Sequence, residues 1–292
     1  MRTQVDLLGT LIDCVDAHQA LSQIDGFVQS GRFHQVVTVN VDFLRLANKD
    51  ESFQNLVNNA DLVLADGMPL VWASRRRSTP LPGRVTGVDM LLACSQLAAS
   101  HGYSIFLLGA EPGVARAAGE ILQERFPGLR IAGTYSPPST DLAEQEKCVR
   151  IVRAAQADML FVAFGAPKQE EWISHYQDRL KVPVCMGVGG SFDMLAGNVR
   201  RAPLWIQQWG LEWFYRLVQE PRRLWKRYII HDLPVFARLM FQRRDSVVTS
   251  QAAAQPRSFE GATIESMYVE PIFAGESSAQ MSEIAVGVSQ SA

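Results

Sequence analysis

The residues able to do chemistry stand in short polar or glycine-rich segments, each directly after an apolar run. Asp66-Gly67 closes one run and is followed by Met68-Pro69. Thr38 and Asn40 close another. Gly109 to Gly113 (GAEPG), Gly165 to Glu170 (GAPKQE) and Gly187 to Gly190 (GVGG) close three more. Gly next to Pro at a helix start leaves free N–H groups and a partial positive charge, which suits a phosphate or nucleotide anion. The same features also serve as ordinary tight turns and helix starts. Asp66 is the most informative acid. Partly desolvated beside a glycine, it could take a proton from an attacking hydroxyl; it could equally cap the helix that follows. No Asp-x-Asp pair and no HExxH occurs, and His18, His34, His101, His175 and His231 lack ligand spacing. The sequence therefore calls for no metal. GxxxxGK[ST] is absent, as is GxGxxG after the first strand, so no cofactor is called for either. A departing diphosphate would need arginines instead, and Arg84 and the arginines of 200–227 are the supply.

These segments need a scaffold that brings strand ends together. Runs at 35–40, 61–65, 104–109, 130–134, 159–165 and 183–188 read as strands, several of them almost wholly apolar. That is the pattern of strands buried on both faces of a parallel sheet. Helical patterns at 88–100, 113–126, 141–155 and 168–180 lie between them. Repeated β-α-β units predict a Rossmann-like α/β fold, with ligands beyond the carboxyl ends of the strands.

The chain has 292 residues and a net charge of −2, which gives no global basic field for nucleic acid. The charge is unevenly spread. Residues 200–244 hold 10 Lys and Arg against 3 Asp and Glu, with four tryptophans, while 245–292 hold 1 against 6. The expected organisation is an α/β catalytic domain over 1–199, a helical basic appendage over 200–244 and a disordered tail over 245–292, with a weakly ordered flap around 267–273 as an alternative. On a helical wheel of 222–241, Leu224, Trp225, Tyr228, Ile229, Leu233, Val235, Phe236, Leu239 and Met240 share one half, opposite Lys226, Arg227 and Arg238. This suits an anionic membrane surface. Pro234 should break or kink such a helix, and Asp232 falls on its apolar side. The rival reading is a terminal helix packed on the domain. The polar start of the chain does not read as a signal peptide, and no apolar stretch reaches spanning length. The four cysteines are widely separated, as in a reducing compartment. A cytoplasmic location is expected.

The chain resembles the WecG/TagA/CpsF glycosyltransferases. The matching pieces are TVNVDFLRLA at 38–47, ADLVLADGMPLVW at 60–72, PGRVTGVDML at 82–91, FLLGAEPGVA at 106–115, FPGLRIAGTYSPP at 126–138, FGAPKQEEWI at 164–173, GVGGSFDMLAG at 187–197, RAPLWIQQWGLEWFYRL at 201–217 and EPRRLWKRY at 220–228. They run in order from residue 1 to about 242; the tail has no counterpart. The resemblance implies an inverting, metal-independent transfer from a UDP-sugar to a polyprenyl-diphosphate-linked saccharide at the inner face of the cytoplasmic membrane, in surface-polysaccharide synthesis. It implies N-acetylmannosamine, N-acetylmannosaminuronic acid or glucose as the sugar. It makes Asp66 the general base, puts Thr38, Asn40 and Gln169 in the pocket, and has an arginine-bearing appendage close over it, with Arg216, Arg222 and Arg223 as nearest matches. Read together with the strand ends, the substrate-binding set is Thr38, Asn40, Gly67, Arg84, Gly109, Lys168, Gln169, Gly189, Gly190, Asp193, Arg216, Arg222 and Arg223. A homo-oligomer is compatible with this reading. Its rivals are another nucleotide-sugar enzyme, an epimerase or dehydrogenase carrying a nicotinamide cofactor, and a non-catalytic membrane-peripheral adaptor.

Overall fold

A computed structural model describes residues 2–241 and 247–250. The chain opens with β1 (Arg2–Leu7), β2 (Thr10–Asp13), α1 (Ala17–Ser30), β3 (His34–Val39), α2 (Val41–Ala47), α3 (Glu51–Asn58), β4 (Leu62–Ala65) and α4 (Met68–Ser74). It continues with α5 (Gly87–His101), β5 (Ser104–Gly109), α6 (Val114–Arg125), β6 (Arg130–Tyr135), α7 (Leu142–Ala155), β7 (Met159–Ala163), α8 (Lys168–Leu180), β8 (Val184–Gly187) and α9 (Ser191–Leu195). The C-terminal block is α10 (Leu204–Gln208), α11 (Glu212–Gln219), α12 (Pro221–Trp225), a π-helical segment (Lys226–Asp232), α13 (Leu233–Phe241) and β9 (Val247–Ser250).

Six strands form one parallel sheet in the order β4-β3-β8-β7-β5-β6. Every residue of β3, β4, β5, β7 and β8 is buried, and helices cover both faces. Edge strand β6 is only partly buried, as an edge should be. The chain leaves β5 toward β6 and leaves β7 toward β8, in opposite directions across the sheet. Such a reversal opens a crevice at the carboxyl ends of the two strands. One core cluster lies among β1–β4, α2, α3, α4 and α13; another joins β5, β7 and β8 to α7 and α8.

The hairpin β1–β2 extends beyond the sequence expectation and pairs antiparallel with β9. β9 lies inside the stretch read as tail; residues 251–292, including 267–273, lie outside the described residues.

The C-terminal block is helical, and it changes the wheel. Pro234 does not stop the helix. The π-helical segment ends two residues before it, where Leu233 N–H bonds Tyr228 carbonyl five residues back. A π turn absorbs the hydrogen bond that proline cannot donate. It also shifts the phase, so the single apolar half of the wheel divides. Leu224 and Leu239 are buried, and Val235 and Met240 pack on the first core cluster. Trp225 and Leu233 of that half face outward, as does Ile230 outside it. Full burial of a leucine such as Leu239 is worth ~1.5–3 kcal/mol, enough to seat α13 on α2 and α4. Asp232, on the inward side, is 8% exposed and lies 3.9 Å from Arg45 Nε on α2. Among the described residues no helix is long and apolar enough to cross a membrane.

Candidate active site

Asp66 follows β4 and keeps the ladder for one more step, its N–H donating to Val39 carbonyl at 2.7 Å. Gly67 then turns the chain at φ 122°, ψ 144°, a conformation open to glycine, and caps α4 without any side-chain hydrogen bond. Asp66 therefore does not cap the helix. Its partly exposed carboxylate accepts a hydrogen bond from Gly87 N–H at the first turn of α5. Burial pushes this carboxyl up to about 6, helped by the charge of Glu212 and, less, of Asp89; Arg84 and the Gly87 N–H hold it down. The group is mostly ionised at neutral pH yet a far better base than an ordinary aspartate.

Around it the predicted residues divide. Thr38 is buried and its hydroxyl donates to Gly187 carbonyl at 3.4 Å, joining β3 to β8. Asn40 caps α2, its Oδ1 accepting from Asp42 and Phe43 N–H. Gln169 is 2% exposed, and its amide turns inward. Its Oε1 accepts from Gly165 N–H at 3.0 Å and Gly189 N–H at 3.1 Å, and its Nε2 donates to Glu170 at 2.7 Å. It is a clasp between two rim loops. Lys168 is exposed at the start of α8. Gly109 ends β5 with its backbone pressed on Ala163, and Gly189 turns at φ 52°. Asp193 opens α9 and accepts from Asn198 at 3.4 Å.

The rim is continuous. Gly87, bonded to Asp66, packs on Val188 and Ser191, where an added methyl would meet atoms at 3.4–3.5 Å. Beyond them Gly190 lies beside Arg216 of α11, whose Nη2 stands 4.0 Å from the point a β-carbon would take. Arg216 Nε is buried without a hydrogen-bond partner. A buried unpartnered guanidinium donor is costly, and the same guanidinium reaches the glycine-rich strand end through Nη2.

Arg84 is engaged otherwise. Its Nη1 donates to Glu212 at 2.5 Å and its Nη2 to Gln207 at 2.9 Å. Arg201 donates to Asp89 at 2.5 Å, and Asp89 accepts from Thr86 hydroxyl at 2.7 Å. Arg222 is exposed; the Arg223 side chain lies outside the described residues. The sequence names Arg201 only among the arginines of 200–227, and it singles out none of Glu212, Asp89 and Thr86. Thr86-x-x-Asp89 is a helix-start signature and was legible in principle. Glu212 stood out only as one of three acids in a basic block. Ser30, His34 and Asp61 also form a chain of 3.0 Å contacts, at the opposite end of β3. The Ser30 hydroxyl also donates to Phe27 carbonyl at 2.8 Å.

Comparison with known proteins gives the class first: this is a glycosyltransferase. Residues 5–248 match the family described as Glycosyl transferase WecG/TagA/CpsF, and the chain belongs to that family. Among its relatives is the N-acetylglucosaminyldiphosphoundecaprenol N-acetyl-beta-D-mannosaminyltransferase of Staphylococcus aureus strain MW2, 33% identical over 235 residues, which span 80% of this chain and 90% of that protein. The protein of the same name from strain NCTC 8325 is similar to the same extent.

Proposed function

We propose that the enzyme transfers a sugar from a UDP-sugar to a polyprenyl-diphosphate-linked saccharide, with inversion and without a metal ion, in surface-polysaccharide synthesis. The observation that carries this reading is Asp66: a carboxylate at a strand end, not spent on capping, raised to about 6, with the N-terminus of α5 on it. It takes the proton of the acceptor hydroxyl as that oxygen forms a bond to the anomeric carbon. The bond from that carbon to the phosphate oxygen breaks on the other face, and UDP leaves. Arg216, whose guanidinium lies beside Gly190, offsets the charge growing on the diphosphate. The names of the relatives favour N-acetylmannosamine as the sugar and an N-acetylglucosaminyl diphosphate lipid as the acceptor.

The test is a panel of UDP-sugars against a short polyprenyl-diphosphate N-acetylglucosamine, with the anomeric configuration of the product read by NMR. UDP-N-acetylmannosamine should give a β-linked disaccharide at a rate that EDTA leaves within about twofold. A retained configuration, or activity abolished by EDTA and restored by magnesium, would contradict the mechanism.

In this reading residues 1–199 form the α/β catalytic domain with the base, and 200–244 form an appendage that brings Arg216 to the rim and meets the inner face of the cytoplasmic membrane. Supporting it, Trp205, Trp209, Trp213, Phe214, Trp225, Ile230 and Phe241 are all exposed, beside exposed Arg222, Lys226 and Arg238. Exposed aromatics next to cations suit an anionic lipid surface. Because Leu224 and Leu239 are core residues, truncation would damage the fold; point changes are the cleaner probe. Trp209→Glu with Trp225→Glu should lower co-sedimentation with phosphatidylglycerol vesicles at least about tenfold and leave Tm unchanged. Undiminished sedimentation would remove the membrane role from these tryptophans.

A further inference from the structure

Glu212 is the acid of the basic block that reaches the rim. It opens α11, and its carboxylate sits between two guanidinium groups: Oε2 is 2.5 Å from Arg84 Nη1 and Oε1 is 3.7 Å from Arg201 Nε. The side chains of Glu212, Arg84 and Arg201 are 16%, 17% and 13% exposed, so solvent screens them little. Arg84 belongs to the loop before α5, and Arg201 to the segment before α10. Through Arg201 the chain of charges continues to Asp89 and Thr86 at the start of α5, the helix whose Gly87 N–H holds Asp66. Among the described residues the charges that act on Asp66 are Arg84 from that loop, Asp89 from α5 and Glu212 from α11.

Glu212 works on Asp66 in two ways of the same sign. It engages Arg84, the cation whose charge acts on Asp66 and weakens it as a base. It also sets a second negative charge near Asp66, which raises that carboxyl's hold on a proton. We infer that Glu212 is a positioning residue: seated between Arg84 and Arg201, it keeps Arg84 off Asp66 and leaves that carboxylate able to take the acceptor's proton. The basic block thus brings an anion to the site as well as cations. This inference rests on the reading of Asp66 as the base.

The experiment compares Glu212→Gln with Glu212→Asp in the full chain, with melting curves to confirm that both fold. The Gln variant keeps an oxygen for Arg84 but carries no charge; the Asp variant keeps the charge. Two readouts are taken. One is the Asp66 carboxyl titration, followed by NMR of carboxyl-labelled protein. The other is the pH dependence of kcat with a UDP-sugar and lipid-linked acceptor. In Glu212→Gln the Asp66 titration and the acid limb of kcat should both move down by about one pH unit. At pH 8 kcat should fall by up to about tenfold, as a weaker base gives a slower proton transfer, while KM for the donor changes less than about threefold. Glu212→Asp should leave the limb where it is in the wild type. A purely structural role would lower rates without moving the limb. An Asp66 titration unchanged in folded Glu212→Gln would overturn the inference. A titration that moves while the limb of kcat does not would instead overturn Asp66 as the base, so the two failures are told apart. Should Glu212→Gln not fold, Arg84→Met decides: with Arg84 gone, Asp66 should titrate higher than in wild type, and no rise would refute the quenching role assigned to Arg84.

Discussion

Asp66→Asn lowers kcat by about 10²–10⁴-fold, the usual cost of losing a placed general base, while the melting temperature does not fall. Both halves follow from one geometry. The carboxylate stands partly exposed at the end of β4 and accepts Gly87 N–H, a bond that the Asn oxygen can also accept. What the amide cannot do is take a proton. The pH dependence has a worked sign. Asp66 must be ionised to act, and burial, first among the causes, has raised it to about 6. Wild-type activity should therefore be flat above pH 7 and decline as pH drops through 6, a limb missing from an enzyme that relies on an ordinary aspartate. For stability the sign is reversed. A carboxyl raised in the folded state contributes stability at low pH that is lost as pH rises through about 6. At pH 8 the wild type thus bears a cost that the Asn variant lacks. Two pH units correspond to about 3 kcal/mol, and partial exposure reduces this to a fraction. Assays at pH 5.5, 7 and 8.5 with melting curves at the same values check both. Turnover by Asp66→Asn within threefold of wild type would remove Asp66 from the proton transfer.

The strand ends were legible because burial on both faces writes itself as unbroken apolar sequence. β3, β4, β5, β7 and β8 lie within two residues of the segments read from composition alone. The hairpin β1–β2 was not legible, and the reason is local. Its two-residue turn is Leu8-Gly9, with φ 59° and 85°. Turns of that kind announce themselves through Asn-Gly or Asp-Gly; a leucine in the left-handed region carries no such signal. Helix α1 did carry one, since Asp16 and Gln19 make a capping box. At the site, sequence order gave the rim but not the aim of the side chains. Gln169 sits in a segment that looks made for a ligand, yet its amide is consumed by Gly165, Gly189 and Glu170. Arg84 finds its partner 128 residues away, a pairing no local pattern encodes. The wheel of 222–241 failed through its assumption of one constant pitch, which the π-helical segment breaks.

Gly109 shows how a glycine after a strand is decided by packing. It lies at φ 108°, outside the comfortable range of any residue with a side chain. A methyl there would stand 2.8 Å from both the carbonyl carbon and oxygen of Ala163, and 3.0 Å from the Phe164 ring. The first two are backbone atoms of β7 in register with β5, where Gly109 is the partner of Ala163. They cannot retreat without opening the central ladder of the sheet. Gly109→Ala therefore combines an unfavourable dihedral, about 1–2 kcal/mol, with overpacking at a rigid contact, about 1–3 kcal/mol. A loss near 3 kcal/mol should lower Tm by about 6–12 °C in a chain of this size. Gly113 is the internal control. It caps α6 at φ 87° with nothing within 4 Å of its missing β-carbon, so Gly113→Ala bears the dihedral cost alone and should lower Tm by about half as much. Calorimetry on the two variants separates the explanations. Equal shifts would mean that backbone conformation accounts for both glycines, and that close approach of β5 to β7 at Ala163 has no energetic weight. A larger drop for Gly109→Ala assigns this glycine to strand packing.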